Sequence, residues 1–458
     1  MKIPEIKFQE TSTPLYIQLY HQIRELIING EITEKLPPIR KMAETLQINS
    51  VTVINAYKKL EKEALIERKA GSGSYIKYKP SNFTTTRLDF TGFDSNIDSF
   101  PLKDIKDSIS NVLENEGLNA FKYEESQGYP GLQKALVKYF AFYKISTNED
   151  LIQIVSGGQQ ALDIISKSLL DFGDTVLTET PTYKGALDSF KSRESRIISI
   201  DITEDGINLN QLESKLQSRR PVFIYIMPFN QKPTGINYSS ENKLAILDLC
   251  KQYNCYIIED DIGSEISLKS EEKQTLKSLD KNDIVIYIKS FTPLFMPGLR
   301  LGCIITPKTL LGKILTTKLS TDISTPGLLQ RAFTHYLNNK NWTAYYSRVS
   351  INISKKIELT YSIIENSGLL NLTELGFKTK SPNFWFKLKK GNGVELNSIC
   401  KNRGISIIPG ESMGSEYRSF FRISLKSIPT ENIERGLTIL KEAITELYSN
   451  RERNSAIL

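Results

Sequence analysis

Between residues 151 and 305 the chain alternates short apolar, β-branched runs with longer helical stretches. The runs are residues 151–156, 175–179, 222–227, 256–259, 284–288 and 301–305. Helices between successive strands carry the chain back to the same edge, so the strands pair in parallel. The order predicts an α/β domain with a mostly parallel central sheet and a ligand site at the carboxyl ends of its strands. A chain of 458 residues is expected to hold more than one domain. No apolar run approaches the ~18 residues of a membrane span, and the N-terminus lacks the apolar core of a secretory signal. Cys250, Cys255, Cys303 and Cys400 are too few and too scattered for a disulfide framework or a metal site. A cytoplasmic protein, with no membrane partner, is expected.

The charge is uneven. Residues 1–79 hold thirteen Lys/Arg against nine Asp/Glu, a net of +4 out of +7 for the whole chain. A small basic unit at one end points to a polyanionic partner. A first helix is expected from 14 to 29, with Ile17, Tyr20, Ile23, Ile27 and Ile28 at helical spacing and Gly30 closing it. Pro38 fits the first turn of a second helix, where its missing N–H has no helical partner. Asn49 can cap a third helix over 50–64. Its buried stripe would be Val53, Ala56, Tyr57 and Leu60, with Ser50, Thr52, Asn55, Lys58 and Lys59 outward. Strand-like residues flank Ala70-Gly71-Ser72-Gly73 and predict a hairpin with a glycine tip. Short helices followed by a hairpin make a winged helix-turn-helix over 1–78. Residues 79–87 read as an extended polar linker, and 88–458 as the large α/β domain.

The first 78 residues resemble the GntR-type DNA-binding domain. The resemblance rests on Pro14-Leu15-Tyr16 with Gln18, Leu36-Pro37-Pro38 with Arg40, Ile48-Asn49 with Thr52-Val53, Ala56-Tyr57 with Leu60, and Gly71 with Gly73. It implies a double-stranded DNA operator as partner, with the third helix in the major groove. Arg40 and Thr52 match phosphate-holding positions. Lys41, Asn49, Ser50, Asn55 and Lys58 would line the groove, and Gly71 and Gly73 would let the wing approach the backbone. Two positions depart from the family: Ser50 stands where an Arg is usual, and Glu34-Lys35-Leu36 lacks a preceding Gly. Lys41, Lys58, Lys59, Arg68 and Lys69 would then carry more of the affinity.

The large domain resembles fold-type I aminotransferases that use pyridoxal 5'-phosphate (PLP), and the whole chain resembles MocR-type regulators, which join such a domain to a GntR-type head. The residues are Tyr123 with Gly128, Ser156-Gly157-Gly158-Gln159, Thr180-Pro181-Thr182-Tyr183, Glu259-Asp260-Asp261 and the ungapped segment from Tyr287 to Gly302. The resemblance implies a fold with a smaller C-terminal α+β subdomain and a homodimer in which Tyr123 reaches the neighbour's cofactor phosphate. Gly158, Gln159, Thr292 and Arg300 would hold the phosphate end, Tyr183 would stack on the pyridine ring, and Asp260 would pair with its nitrogen. Arg422 matches the Arg that clamps an amino-acid carboxylate.

Several matching positions have lost the family's reactive groups. Pro293 stands at the Schiff-base lysine, and a proline ring has no free amine. Ile262 replaces a Tyr, and Lys232 an Asn, that both bond the ring oxygen. The resemblance therefore implies a regulator that binds a small effector, PLP or pyridoxamine phosphate held non-covalently or an amino-acid-like anion, with no catalytic residues. Two alternatives stay open on the sequence. One is a working aminotransferase using Lys289 or Lys232. The other is a cofactor-free dimerisation scaffold.

Overall fold

The computed structural model describes residues 14–28, 34–62, 65–69, 73–76, 88–92, 100–266, 274–291 and 297–455, with Ile6, Phe8 and Ile32 besides. The chain divides into two compact units, Met1–Arg87 and Leu88–Leu458.

In the first unit α1 (Leu15–Ile28), α2 (Ile39–Leu46) and α3 (Ser50–Lys62) precede a hairpin of β1 (Ile66–Lys69) and β2 (Gly73–Ile76). Val53, Ala56, Tyr57 and Leu60 recur at helical spacing on α3 and are buried against Leu19, Tyr20 and Ile23 of α1 and Met42 of α2. The Tyr57 hydroxyl donates to the Pro37 carbonyl at 2.8 Å, which satisfies a buried phenol and pins the segment ahead of α2. Asn49 Oδ1 accepts from the Val51 N–H at 2.8 Å and so caps α3. Pro38 stands just ahead of α2 as its cap rather than inside its first turn. The hairpin pairs Ile66 with Ile76 and Lys69 with Gly73. Leu36 N–H donates to the Ser74 carbonyl at 2.8 Å and Ile76 N–H to that of Glu34 at 3.0 Å, tying the hairpin back to the helices. Gly71, residues 63–64 of the expected third helix and the expected linker 79–87 lie outside the described residues.

The second unit opens with β3 (Leu88–Asp89), α4 (Leu102–Glu116), α5 (Pro130–Phe142), β4 (Ile152–Val155), α6 (Gly158–Leu169), β5 (Thr175–Thr180) and α7 (Lys184–Lys191). It continues through β6 (Arg196–Thr203), β7 (Gly206–Ile207), α8 (Leu209–Arg219), β8 (Phe223–Ile226), α9 (Ser240–Gln252), β9 (Tyr256–Asp261), α10 (Leu276–Leu279), β10 (Val285–Ser290) and β11 (Gly302–Ile305). Next come α11 (Leu311–Thr321), α12 (Gly327–Asn339), α13 (Trp342–Asn366), β12 (Thr373–Leu375), β13 (Asn383–Leu388) and α14 (Gly393–Asn402). β14 (Ile405–Ser406), β15 (Ile408–Pro409), β16 (Phe420–Ser424) and α15 (Ile433–Ser455) complete it.

The large sheet runs in the order β4-β11-β10-β9-β8-β5-β6-β7. From β10 across to β6 the strands are parallel, while β11 is antiparallel to both its neighbours. All six expected apolar runs are strands of this sheet. β6 was not foreseen: its isoleucines alternate with Arg196, Ser199 and Asp201, the half-buried pattern of a strand near the sheet margin, which a search for continuous apolar runs passes over. Side chains alternate between the two faces. Ile224, Ile257, Val285 and Tyr287 enter one core, and Tyr225, Ile258, Ile286 and Ile288 the other. The smaller C-terminal part is an antiparallel sheet, β12-β13-β16-β15, with α13, α14 and α15 beside it. No helix among the described residues is long and apolar enough to cross a membrane.

Candidate functional site

The carboxyl ends of the parallel strands gather the candidate residues. β4 ends at Val155, the chain turns through Ser156 and Gly157, the latter at φ 93°, and α6 begins at Gly158. That turn leaves helical N–H groups and a positive dipole end facing outward, a ready anion cradle. Arg300, itself at φ 49°, lays its guanidinium across this turn and donates from Nη2 to the Ser156 carbonyl at 2.8 Å. A Cβ on Gly157 would stand 3.2 Å from that guanidinium, so the close approach requires glycine. A Cβ on Gly158 would meet Ser290, Asp260 Oδ1 and Ile288, each within 3.8–4.0 Å, which places the helix start beside the ends of β9 and β10.

Tyr183 follows β5. Its hydroxyl donates to Gln159 Oε1 at 3.1 Å, and Gln159 Nε2 donates to the Gly185 carbonyl and to Ser189 Oγ, both at 3.0 Å. Gln159 therefore fixes the Tyr183 ring. Lys232 follows β8, and its Nζ stands 5.5 Å from the centre of that ring. Burial lowers its ammonium to about 8, the nearby Arg422 charge adds to this, and Asp260 opposes it.

Asp260 is buried on β9. Its Oδ2 accepts from the Tyr225 hydroxyl at 2.7 Å, whereas Oδ1 has no partner. Burial raises the carboxyl to about 6 against the opposing pull of Tyr225 and Lys232. A buried acceptor without a donor is costly and awaits one. The pyridine N–H of a PLP-type cofactor is such a donor, and Asp260 Oδ1, the Tyr183 ring, the Gly158 turn and Arg300 fit its nitrogen, ring and phosphate. Arg422 on β16 is likewise buried, donates from Nη2 to the Thr91 carbonyl, and leaves Nε unpartnered. Burial lowers it to about 10, with Asp89 opposing. Ile262 is buried in the core on the Asp260 side and offers no hydrogen bond there.

Lys289 lies on the other face of the sheet. Its Nζ is 3.1 Å from Asp261 Oδ2 and 2.6 Å from Glu265 Oε1. Tyr287 donates to Asp261 Oδ2 at 2.5 Å, the Gly263 and Ser264 N–H groups donate to Oδ1 at 2.9 and 2.8 Å, and Tyr139 donates to Glu265. Burial would lower Lys289, but Asp261 and Glu265 outweigh it and raise the ammonium above its ordinary value. A charged amine held by two carboxylates is no nucleophile.

Tyr123 is exposed on the segment after α4. Thr292 and Pro293 lie outside the described residues. In the head, Arg40 and Lys41 on α2 and Asn49, Ser50, Asn55 and Lys58 at or on α3 are exposed, and Thr52 is half-buried. Gly73 opens β2 at φ 119°. On α3 the exposed residues alternate with the buried stripe of Val53, Ala56, Tyr57 and Leu60. Two residues escaped the sequence reading. Tyr225 lies within an apolar run, and only the register β8–β9 brings it to Asp260. Lys426, just past β16, carries no motif, and only the fold brings it near Lys232 and Arg422.

Residues 89–440 match the family described as "Aminotransferase class I and II", and residues 15–76 match "Bacterial regulatory proteins, gntR family". The uncharacterized HTH-type transcriptional regulator YdfD of Bacillus subtilis is 27% identical, over 98% of this chain and 100% of that protein. The probable rhizopine catabolism regulatory protein MocR of Rhizobium meliloti is 26% identical over 74% of this chain and 75% of its own. The kynurenine aminotransferase of Pyrococcus horikoshii, solved in complex with PMP, superposes with a TM-score of 0.73 at 25% identity, covering 79% of this chain and 92% of that one. The chain belongs to the aminotransferase class I and II family, joined to a gntR-family head in the MocR-type arrangement.

Proposed function

We propose that the chain is a DNA-binding transcriptional regulator whose aminotransferase-like domain binds a PLP-related or amino-acid-like ligand and dimerises, without transamination. The observation that carries this reading is the Asp260 carboxyl, buried with Oδ1 unsatisfied at the carboxyl end of β9 while the sequence has Pro293 in place of the reactive lysine. When bound, a pyridine cofactor supplies an electron-withdrawing ring. Asp260 holds its nitrogen proton, Tyr183 packs on its face, and Gly158, Gln159, Thr292 and Arg300 serve its phosphate end. Arg422 takes a carboxylate. None of these residues can replace the missing amine, and Lys289 is committed to Asp261 and Glu265. On this reading the ligand is held without a covalent bond; a borohydride-reducible aldimine lost on changing Lys232, whose amine stands 5.5 Å from the Tyr183 ring, would overturn that.

A second copy of the chain is the partner of the Tyr123 region. Leu118, Phe121 and Tyr123 are 86, 64 and 87% exposed. Arg331 braces the same segment by ion pairs to Glu116 at 2.5 Å and Glu124 at 2.6 Å. A held apolar surface supports association. Two heads on one dimer read paired half-sites. In each head α3 enters the major groove, with Asn49, Ser50 and Asn55 toward the bases, Arg40, Lys41, Thr52 and Lys58 toward phosphates, and Gly71 and Gly73 in the wing. Ligand binding shifts the balance of head arrangements by its differential affinity for them.

Gel-shift titration of the full chain on its own promoter DNA, with and without pyridoxamine phosphate, tests the reading. Operator affinity is expected to change with ligand. The paired change Arg40→Ala and Thr52→Ala is expected to weaken binding about tenfold or more and to flatten its salt dependence. DNA binding unaffected by both ligand and substitution would overturn it.

A further inference from the structure

The strand ends hold more positive charge than a cofactor alone explains. Lys232, Arg422 and Lys426 come from three places: the loop after β8, β16 itself, and the turn beyond β16. Asn383 pairs with Ser424 and its Nδ2 donates to the Asn230 carbonyl at 3.5 Å, which brings the loop of Lys232 beside the end of β16 that carries Arg422 and leads to Lys426. Arg422 lowers the Lys232 ammonium, and both lower that of Lys426. None has a carboxylate within ion-pair distance among the described residues. Lys232 contacts the Tyr183 ring, Arg422 donates to the Thr91 carbonyl, and Lys426 makes no hydrogen bond among the described residues. Unpaired ammonium and guanidinium groups in a half-buried place repel one another and lose hydration, which raises the free energy of the ligand-free protein.

The neighbouring acids relieve this only in part. Glu265 is bound to Lys289 at 2.6 Å and Asp261 to Lys289 at 3.1 Å. Asp260 Oδ2 is taken by Tyr225. Asp89 Oδ1 accepts from the Thr91 N–H at 2.8 Å. Burial, then Lys232 and Arg422, lower the Lys426 ammonium to about 7, with Glu265 opposing and Lys289 adding. The backbone that carries Lys426 is also fixed. Leu425 N–H donates to the Pro382 carbonyl at 2.8 Å, and Lys356 Nζ donates to the carbonyls of Leu425 at 3.3 Å and Ile428 at 2.6 Å. A buried lysine on α13 thus braces the turn that presents another lysine.

We propose that Lys232 and Lys426 form a second anion subsite beside Arg422, so that the effector carries two acidic groups, one on the Arg422 guanidinium and one between the two ammonium groups. This deepens the proposed ligand-sensing role and rests on it. A dicarboxylic amino acid has the required chemistry. A cluster of donors that converge without anions of their own is a preorganised site for one. Lys426 is the residue that sets this preference: removing it costs the second acidic group its partner while Arg422 still serves the first.

The test is titration calorimetry of the full chain with L-glutamate and L-aspartate, each against its neutral isostere, L-glutamine and L-asparagine. At least one acidic probe is expected to bind tenfold or more tightly than its amide. Lys426→Gln is expected to erase that difference, and Lys426→Arg to keep it. The same Lys426→Gln variant is expected to melt higher than the wild type without ligand, because an unpaired buried cation has been removed. A structural lysine would show the opposite. Acid and amide binding equally, or Lys426→Gln lowering the melting point with the preference intact, would overturn the second subsite and leave the sensing role standing. Failure of all four probes and of pyridoxamine phosphate to bind would overturn both.

Discussion

Asp260 and Asp261 follow one another on β9, and the pleat sends them to opposite faces of one sheet. Both are buried. Asp261 accepts from Gly263, Ser264, Tyr287 and Lys289, and these outweigh burial and lower its carboxyl below the ordinary range. Asp260 has the Tyr225 hydroxyl on one oxygen and nothing on the other, and burial raises it to about 6. The Asp261 side of the sheet is a nearly closed ion network that holds the fold. The Asp260 side is an open one among the described residues, with Asp260 Oδ1 and Arg422 Nε left without partners. Buried charge alone does not mark a site; an incomplete set of partners does.

The comparison breaks first, and hardest, at Lys289. Lys289→Met would strand Asp261 and Glu265 without their cation. Breaking a buried pair from one side costs about 3–5 kcal/mol. Chemical denaturation is expected to show a loss of that order, with any surviving folded protein still binding pyridoxamine phosphate. Loss of ligand binding at unchanged stability would instead place Lys289 in the site.

Neighbouring asparagine substitutions sharpen it. Asp261→Asn is expected to destabilise the fold and spare ligand affinity. Asp260→Asn is expected to leave the ligand-free stability nearly unchanged and to weaken pyridoxamine phosphate binding about 10–100-fold, the value of one hydrogen bond to a charged group. The pH dependences run in opposite directions. Asp261 is lowered in the fold, so its stabilisation is present above the ordinary carboxylate range and is lost as pH falls through its folded value. Asp260 is raised, so the stability linked to its proton is present below that range and is lost as pH rises through about 6. Asp261→Asn, which keeps Asp260, is expected to lose stability as pH rises toward about 6, and Asp260→Asn, which keeps Asp261, as pH falls below the ordinary carboxylate range; denaturation curves across both ranges check the two slopes.

The parallel sheet was legible because its central strands are continuous apolar runs, which only a strand covered on both faces requires. The head was legible from Val53, Ala56, Tyr57 and Leu60, whose spacing alone fixes which side of α3 is buried. Gly158, Tyr183 and Asp260 stood out in the sequence because each lies at or just past the end of an apolar run. What was not legible is which of them face one another. Lys289 stands four residues before Pro293 and could be weighed as a replacement amine on sequence distance; strand parity excludes it. Lys426 has no signature, because its place depends on the turn held by Lys356 some seventy residues earlier. Tyr225 reads as one more apolar residue of β8 until the register with β9 sets it opposite Ile258, beside the Asp260 face.

Tyr225→Phe gives the smallest effect and the most specific one. It removes only the hydroxyl that bonds Asp260 Oδ2 at 2.7 Å, with the ring left in its core. The cost to the fold is expected to be about 1 kcal/mol, the net worth of one hydrogen bond. That bond pulls the Asp260 carboxyl down, so its loss moves the carboxyl further above about 6. Pairing with a pyridine N–H requires the ionised form of Asp260. The acidic limb of the binding–pH profile for pyridoxamine phosphate is therefore expected to move to higher pH in the variant, with affinity at pH 8 changed little. A uniform loss of affinity across the pH range would mean that Tyr225 shapes the cavity rather than tuning Asp260. An unchanged profile would mean that Asp260 does not meet the ligand, and the distinction between the two faces of β9 would then be one of packing alone.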